Sequence, residues 1–155
     1  LLLDDELEIR EAMTGLLRSH AIDAHAVSDE AGAAAALRQA TREGRPFDLL
    51  LCDYRLADGA DGLDAGLRLS QADGAATPLL LITGETSPDR LQRVRESQVP
   101  VLFKPVVADL LLQAMADIAV PDSTSRLQRV SLHLNSFVLV LTPDAARRRC
   151  VRLRP

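Results

Sequence analysis

The chain has 155 residues, of which 47% are apolar and 26% charged, with a formal net charge of −4. This is the composition of a globular protein long enough for one domain with a real core and too short for two ordinary ones. It argues against a membrane-spanning chain, because the longest apolar runs fall far short of the roughly 20 residues a bilayer requires. With two cysteines it also argues against a disulfide framework. No basic, apolar, small-residue leader precedes the first strand, so a cytoplasmic location is expected. Residues 1 to 120 hold 11 Arg and Lys against 20 Asp and Glu, whereas 121 to 155 hold 7 against 2. The imbalance predicts a domain over 1–120 and a basic tail over 121–155 that differs from it in kind.

In chain order, Leu1-Leu2-Leu3 running into Asp4-Asp5 reads as a strand already under way at the first residue. Without an initiator Met, the chain looks like a piece cut from a longer polypeptide. Glu6 to Ser19 puts Leu7, Met13, Leu16 and Leu17 on one face of a first helix, with acids in the first turn where the helix dipole favours them. Ala21 to Val27 is a short second strand. Ser28 is placed to cap a helix from Asp29 to Glu43, rich in alanine and ended by Gly44. Asp48 to Asp53 carries the continuous apolar run Leu49-Leu50-Leu51-Cys52, bounded by Pro46 and Gly59, the pattern of a central strand buried on both faces. A loop rich in Asp and Gly leads into a helix from about Leu63 to Gln71, and Thr77 to Thr83 is a further buried strand. Ser87-Pro88 supplies a cap and a first-turn proline for a helix to about Glu96. Val99 to Phe103 is a fifth strand closed by Lys104-Pro105, and a last helix runs from about Val107 to Ile118. Strands alternating with helices predict an α/β fold with a doubly wound parallel sheet, covered on both faces by right-handed crossovers.

In such a sheet the ligand crevice opens outside the carboxyl ends of the strands. Those ends carry Asp4 and Asp5, Asp53, Thr83 and Lys104. Asp53 alone reads equally well as a cap for the loop that follows it; the set together says more. Clustered carboxylates shift one another's pKa unless something neutralises them, and Mg²⁺ suits two or three carboxylate or carbonyl oxygens with water in the remaining positions. Lys104 is the only lysine in the chain, a compact ammonium suited to a phosphoryl oxygen, and Thr83 offers a neutral donor for another. Phosphoryl transfer depends mostly on positioning and charge neutralisation, which a metal, a cation, a hydroxyl and a carboxylate nucleophile provide. Cys52 reads as a small core residue, Cys150 lies in the basic tail, and His20, His25 and His133 are isolated from other ligands and read as structural or surface residues.

The acidic pair Asp4-Asp5, the carboxylate Asp53, the hydroxyl residue Thr83 and the pair Lys104-Pro105, in this order over residues 1 to about 119, resemble the receiver domain of two-component signalling. The resemblance implies a flavodoxin-like five-stranded parallel sheet of order 2-1-3-4-5. It also implies a phosphoacceptor at Asp53 that takes its phosphoryl group from a histidine kinase or a histidine phosphotransfer domain and then switches conformation. Asp53, Lys104 and Thr83 would carry the chemistry. Mg²⁺ would be held by Asp5, Asp53 and the main-chain carbonyl of Arg55, with Asp4 assisting through water. The Lys104-Pro105 peptide would be cis. Such a domain catalyses its own phosphorylation and dephosphorylation without being an independent enzyme, and takes no small-molecule substrate beyond a phosphodonor. A haloacid-dehalogenase-like phosphatase also uses a strand-end Asp nucleophile but wants a second acid two residues later, where Arg55 stands. A pseudo-receiver that only binds a partner would be expected to have lost the acids or the lysine.

Three departures narrow the resemblance. Ala57 stands where receivers commonly carry proline, and Asp61-Gly62 arrives one residue late, which resembles receivers at the C-terminus of hybrid sensor histidine kinases. Val101 stands three before Lys104, where many receivers carry an aromatic residue, and this speaks against an aromatic switch. Arg55 and Glu85 lie two after Asp53 and Thr83 and are expected to pair over the mouth of the site. In the tail, Arg147-Arg148-Arg149-Cys150-Val151-Arg152 could serve as a nucleic-acid arm, but an extension or artefact is the favoured reading, and no membrane contact is expected. Ser131 to Thr142 has strand-like composition suited to pairing with a sheet edge or another chain.

Overall fold

Alternating apolar runs and helical periods resolve into a wound sheet. A computed structural model of the chain describes residues 1–72, 76–119, 131–134 and 137–140. Five parallel strands, β1 (Leu2–Leu3), β2 (Ala26–Val27), β3 (Leu50–Asp53), β4 (Leu79–Thr83) and β5 (Val101–Phe103), lie in the order β2-β1-β3-β4-β5. Five helices connect them or follow the last: α1 (Leu7–Ser19), α2 (Glu30–Arg42), α3 (Gly62–Ser70), α4 (Pro88–Ser97) and α5 (Ala108–Ala119). This is the doubly wound fold expected, with the connection reversing between β1 and β3.

Strand alternation divides the core in two. Leu3, Leu50, Cys52, Leu79, Leu81 and Val101 face Ala33 and Leu37 of α2, Leu63 and Leu69 of α3, and Val94 of α4. Leu2, Leu51, Leu80, Ile82 and Leu102 face Met13 and Leu17 of α1 and Leu111 of α5. Central strands buried on both faces read as unbroken apolar runs, which is why β3 and β4 were legible.

Several local expectations are corrected. Leu7 is 59% exposed; the core-facing stripe of α1 is buried Met13 and Leu17 with partly buried Ile9 and Leu16, an i, i+4, i+7, i+8 set from which Leu7 is rotated away. The second strand is only Ala26–Val27, because α1 ends in a turn with Ala21 at φ 57°, and residues 22–25 run as loop. Asp29, not Ser28, caps α2, accepting from the Gly32 amide at 2.8 Å, while the Ser28 hydroxyl donates to Asp29. Ser87 occupies the cap position of α4 without a capping bond; Glu85 accepts from the Thr86 and Ser87 amides instead. Among the described residues Ser131–Leu134 (β6) and Phe137–Val140 (β7) pair antiparallel with each other and form a sheet separate from the main one. Their closeness in sequence makes closure of that hairpin cheap. Cys150 and the arginine run from Arg147 to Arg152 lie outside the described residues. Among the described residues no helix is long and apolar enough to cross a membrane.

Candidate functional site

Register brings the strand ends together. Leu3 pairs with Cys52, Asp53 with Ile82, and Thr83 with Phe103. The next residue along each strand, Asp4 after Leu3 and Lys104 after Phe103, is therefore carried to the same edge. Asp4, Asp53 and Lys104 continue the alternation of Leu2, Leu51 and Leu102, so they share a face. Lys104 Nζ lies 2.9 Å from Asp53 Oδ1 and 3.8 Å from Asp4 Oδ2. Asp4 is 2% exposed, Asp53 5% and Thr83 1%: a buried pair of carboxylates is held by one ammonium. Asp5 sits beside them, half-buried.

Burial pushes the Asp4 carboxyl above the usual carboxylate range. The amide bond from Glu6 opposes this, the charge of Asp53 adds to it, and Lys104 pulls it back in part. For Lys104, burial works against the charged form, but the hydrogen bond and charge of Asp53 outweigh it and hold the ammonium above its ordinary value. The linkage signs are opposite in consequence. A raised Asp4 contributes stability only in acid, below the unfolded carboxylate pKa of about 3.9, and loses it as pH rises through the folded value, so its ionisation at neutral pH is a cost. A raised Lys104 contributes throughout the neutral range and loses that contribution only in strong alkali.

Backbone hydrogen bonds hold the acids in place. Asp4 Oδ1 accepts from the Glu6 amide at 2.9 Å, and Arg10 Nη1 donates to the Asp4 carbonyl at 2.8 Å. The Tyr54 amide donates to the Ile82 carbonyl and the Lys104 amide to the Thr83 carbonyl. The Lys104-Pro105 peptide is cis, as expected. Thr83 Oγ1 accepts from the Glu85 amide at 2.9 Å, and no hydrogen bond among the described residues uses its proton, which leaves that proton available for an oxyanion.

The loop after Asp53 is closed at its base by Gly62. Its amide donates to the Tyr54 carbonyl at 2.7 Å, and a Cβ there would run into the Asp53 carbonyl oxygen. The loop passes through a 3-10 turn at Ala57–Gly59, with Asp58 and Gly59 at positive φ. Arg55 bridges to Asp61. The bonds of that bridge run through the Tyr54 carbonyl and the Leu56 amide, and no hydrogen bond among the described residues uses the Arg55 carbonyl. Cys52 lies beneath, its thiol donating to the carbonyls of Asp53 and Gly62 at 3.3 Å each. Burial pushes that thiol pKa up, assisted by the charge of Asp53, so Cys52 is a core donor and not a nucleophile.

A metal has to fit what is there. No three His, Cys, Asp or Glu side chains among the described residues are grouped as a metal cage. Asp53 Oδ2 has no ion pair or hydrogen bond among the described residues, and half-buried Asp5 and the Arg55 carbonyl follow Asp4 and Asp53 by one and two residues along the chain. An oxygen-only donor set of one or two carboxylates and a carbonyl fits Mg²⁺, which keeps several waters, better than it fits metals that prefer nitrogen or sulfur.

The expected pairing of Arg55 with Glu85 does not form. Glu85 Oε2 pairs with Arg90 at 2.8 Å and its other oxygen accepts the two amides before α4. The head of that helix and an arginine on it compete for the same carboxylate and win. A cluster unforeseen from sequence stands beside the site: Arg93 of α4 donates to Asp61 Oδ2 at 2.7 Å and to Asp64 at 3.0 and 3.2 Å, and Tyr54 Oη lies 3.4 Å from Asp61 Oδ2. These partners are 29 and 32 residues apart in sequence, beyond the reach of any local signal. A cavity of about 610 Å³ lies at the opposite, amino-terminal edge of the sheet, among Leu1, Ile22, Phe47 and Met115. It holds none of these residues.

Fold and strand-end acids together define an α/β protein with a carboxylate-lysine site at the carboxyl edge of its sheet. The model of the response regulator receiver domain matches residues 1–116, and the chain belongs to that family. Solved structures share the fold over 76% of this chain. Chemotaxis protein CheY4 of Vibrio cholerae is 24% identical with a TM-score of 0.60, covering 94% of that chain. A response regulator receiver domain protein from Clostridium thermocellum is 20% identical at 0.62 over 90% of that chain. The receiver domain of a LuxO repressor protein from Vibrio parahaemolyticus is 21% identical at 0.59 over 86% of that chain. No curated protein matches the chain.

Proposed function

We propose that this chain is the phosphoacceptor of a two-component phosphorelay, with residues 1–120 as the working domain. The observation that carries the reading is Lys104 Nζ at 2.9 Å from Asp53 Oδ1, with Asp4 beside the pair. An Asp53 carboxylate oxygen attacks the phosphorus of a phosphohistidine on a kinase or phosphotransfer domain. The O–P bond forms as the P–N bond breaks, and the imidazole leaves with the electron pair. Lys104 offsets charge on the phosphoryl oxygens, and the Thr83 hydroxyl proton donates to one of them. Mg²⁺, held by Asp5, Asp53 and the Arg55 carbonyl with Asp4 assisting through water, would supply the remaining charge neutralisation when bound. Phosphorylation then shifts the loop after Thr83 and the helix beyond it. The loop between Asp53 and Gly62, one residue longer than is common, supports placement as the C-terminal receiver of a cytoplasmic hybrid kinase.

Incubation with acetyl phosphate and Mg²⁺, followed by intact mass, tests this directly. One added phosphoryl group is expected on the parent and none on Asp53→Asn or in excess chelator. A phosphoryl group that persists in Asp53→Asn would refute the assignment.

A further inference from the structure

Helix α4 has one fully buried side chain, Val94, so little apolar area decides where it sits. Its position is set instead by polar ties, and both run to loops that border Asp53. At its head, Arg90 pairs with Glu85 at 2.8 Å, and the Glu85 amide is held by Thr83 Oγ1 at 2.9 Å. Along its length, Arg93 spans two carboxylates of the neighbouring helix. It reaches Asp61, which caps α3 through the Leu63 and Asp64 amides and stands next to Tyr54 Oη, and it reaches Asp64 one turn on. Tyr54 is the residue after Asp53, and its phenol is otherwise buried. α4 therefore bridges the loop after β3 and the loop after β4.

We infer that Arg93 is a latch that holds α4 against the head of α3 in the unphosphorylated protein and is released when the two loops move relative to each other. The inference rests on the phosphoacceptor reading of Asp53. When the Thr83 hydroxyl turns to donate to a phosphoryl oxygen, the loop that carries Glu85 and the head of α4 is displaced, while Asp61 stays fixed by its cap and by Gly62 packed on the Asp53 carbonyl. The tie between them, Arg93, is the contact that has to give. By reciprocity, breaking the latch beforehand favours the phosphorylated arrangement. Arg93 is half exposed, 49% for its side chain, and an exposed pair couples weakly. The expected effect on affinity is therefore about two- to five-fold.

The test uses the full chain with Mg²⁺ and beryllofluoride as the phosphoryl mimic. Bound probe is read by fluorine NMR, and hydrogen exchange is read over residues 88–97. In the parent, the probe should speed exchange of α4 amides. In Arg93→Gln without probe, exchange should already be several-fold faster and close to the probe-bound parent. The further change on adding probe should shrink, and the probe should bind about two- to five-fold tighter. Asp64→Asn, which removes one carboxylate and leaves the Asp61 cap intact, should shift the same readouts in the same direction, and it carries the test if Arg93→Gln does not fold. Probe that binds the parent and both variants with an unchanged α4 response overturns the latch. Loss of binding in Arg93→Gln also overturns it, because a residue needed to build the site is not a latch upon it. No binding to the parent overturns the phosphoacceptor reading itself.

Discussion

Helices α3 and α4 both begin at loops that border Asp53, yet they are held by different means. α3 buries Gly62, Leu63, Ala65, Gly66 and Leu69 within nine residues, and its cap, Asp61, accepts two of its own amides. α4, one residue longer, buries only Val94 and has no side-chain cap; Glu85 holds the Thr86 and Ser87 amides that lead into it. A buried leucine stabilises by about 1.5–3 kcal/mol, so α3 is fixed by two such contributions, Leu63 and Leu69, with a smaller one from Ala65, and α4 by roughly one, Val94. The rigid helix follows the strand that carries the nucleophile. The loosely packed helix follows the strand that carries the hydroxyl, where a displacement can be passed on at little cost in core packing.

The sharpest way to break this contrast is at Gly62. A Cβ there meets the Asp53 carbonyl oxygen and the Tyr54 carbonyl, backbone atoms that cannot step aside. Gly62→Ala should cost more than ~3 kcal/mol and abolish phosphorylation together with stability, measured by denaturant unfolding and intact mass. A variant of parental stability would mean that α3 is not anchored there.

A second comparison sets one helix against the other. Leu69 is buried in α3 and Leu91 half-buried in α4. Leu69→Ala should cost about 2–5 kcal/mol, and Leu91→Ala about 1 kcal/mol. Equal losses in urea unfolding would remove the distinction between the helices.

The smallest effect concerns the mouth of the site. Glu85 is committed to Arg90 and to the head of α4, so Arg55 and Glu85 should act independently. The changes in dephosphorylation rate caused by Arg55→Ala and Glu85→Ala, measured after phosphodonor removal, should multiply in the double variant. A strong departure from that product would show that the two residues pair in the phosphorylated protein.

Asp4, Asp53, Thr83 and Lys104 were legible because each ends a strand whose apolar run is itself the signal. A parallel sheet places the ends of its strands on one edge whatever the details of the loops. Strand order and the cis Lys104-Pro105 peptide followed from the family resemblance that those residues carried, whereas the register is read only from the folded sheet. The errors were of another kind. Ser28 and Asp29 are both good caps, and only the path of the chain into α2 selected Asp29. Leu7 falls outside the apolar stripe because the helix is anchored through Ile9 and Met13. Arg55 and Glu85 carry opposite charges in adjacent loops, but the backbone amides at the head of α4 were a nearer partner for Glu85.

Composition, apolar periodicity and strand-end chemistry, all read within a few residues, were thus enough to determine a doubly wound parallel sheet, its edge and the acids and lysine gathered there, while the strand order came with the family resemblance. Tertiary structure alone decided how the two flanking helices are held. Arg93 finds Asp61 and Asp64 across 29 to 32 residues of chain, and Gly62 is required by a carbonyl that only folding brings against it. Ion pairs and close backbone contacts between distant segments depend on where the fold puts them, and no spacing along the chain encodes that.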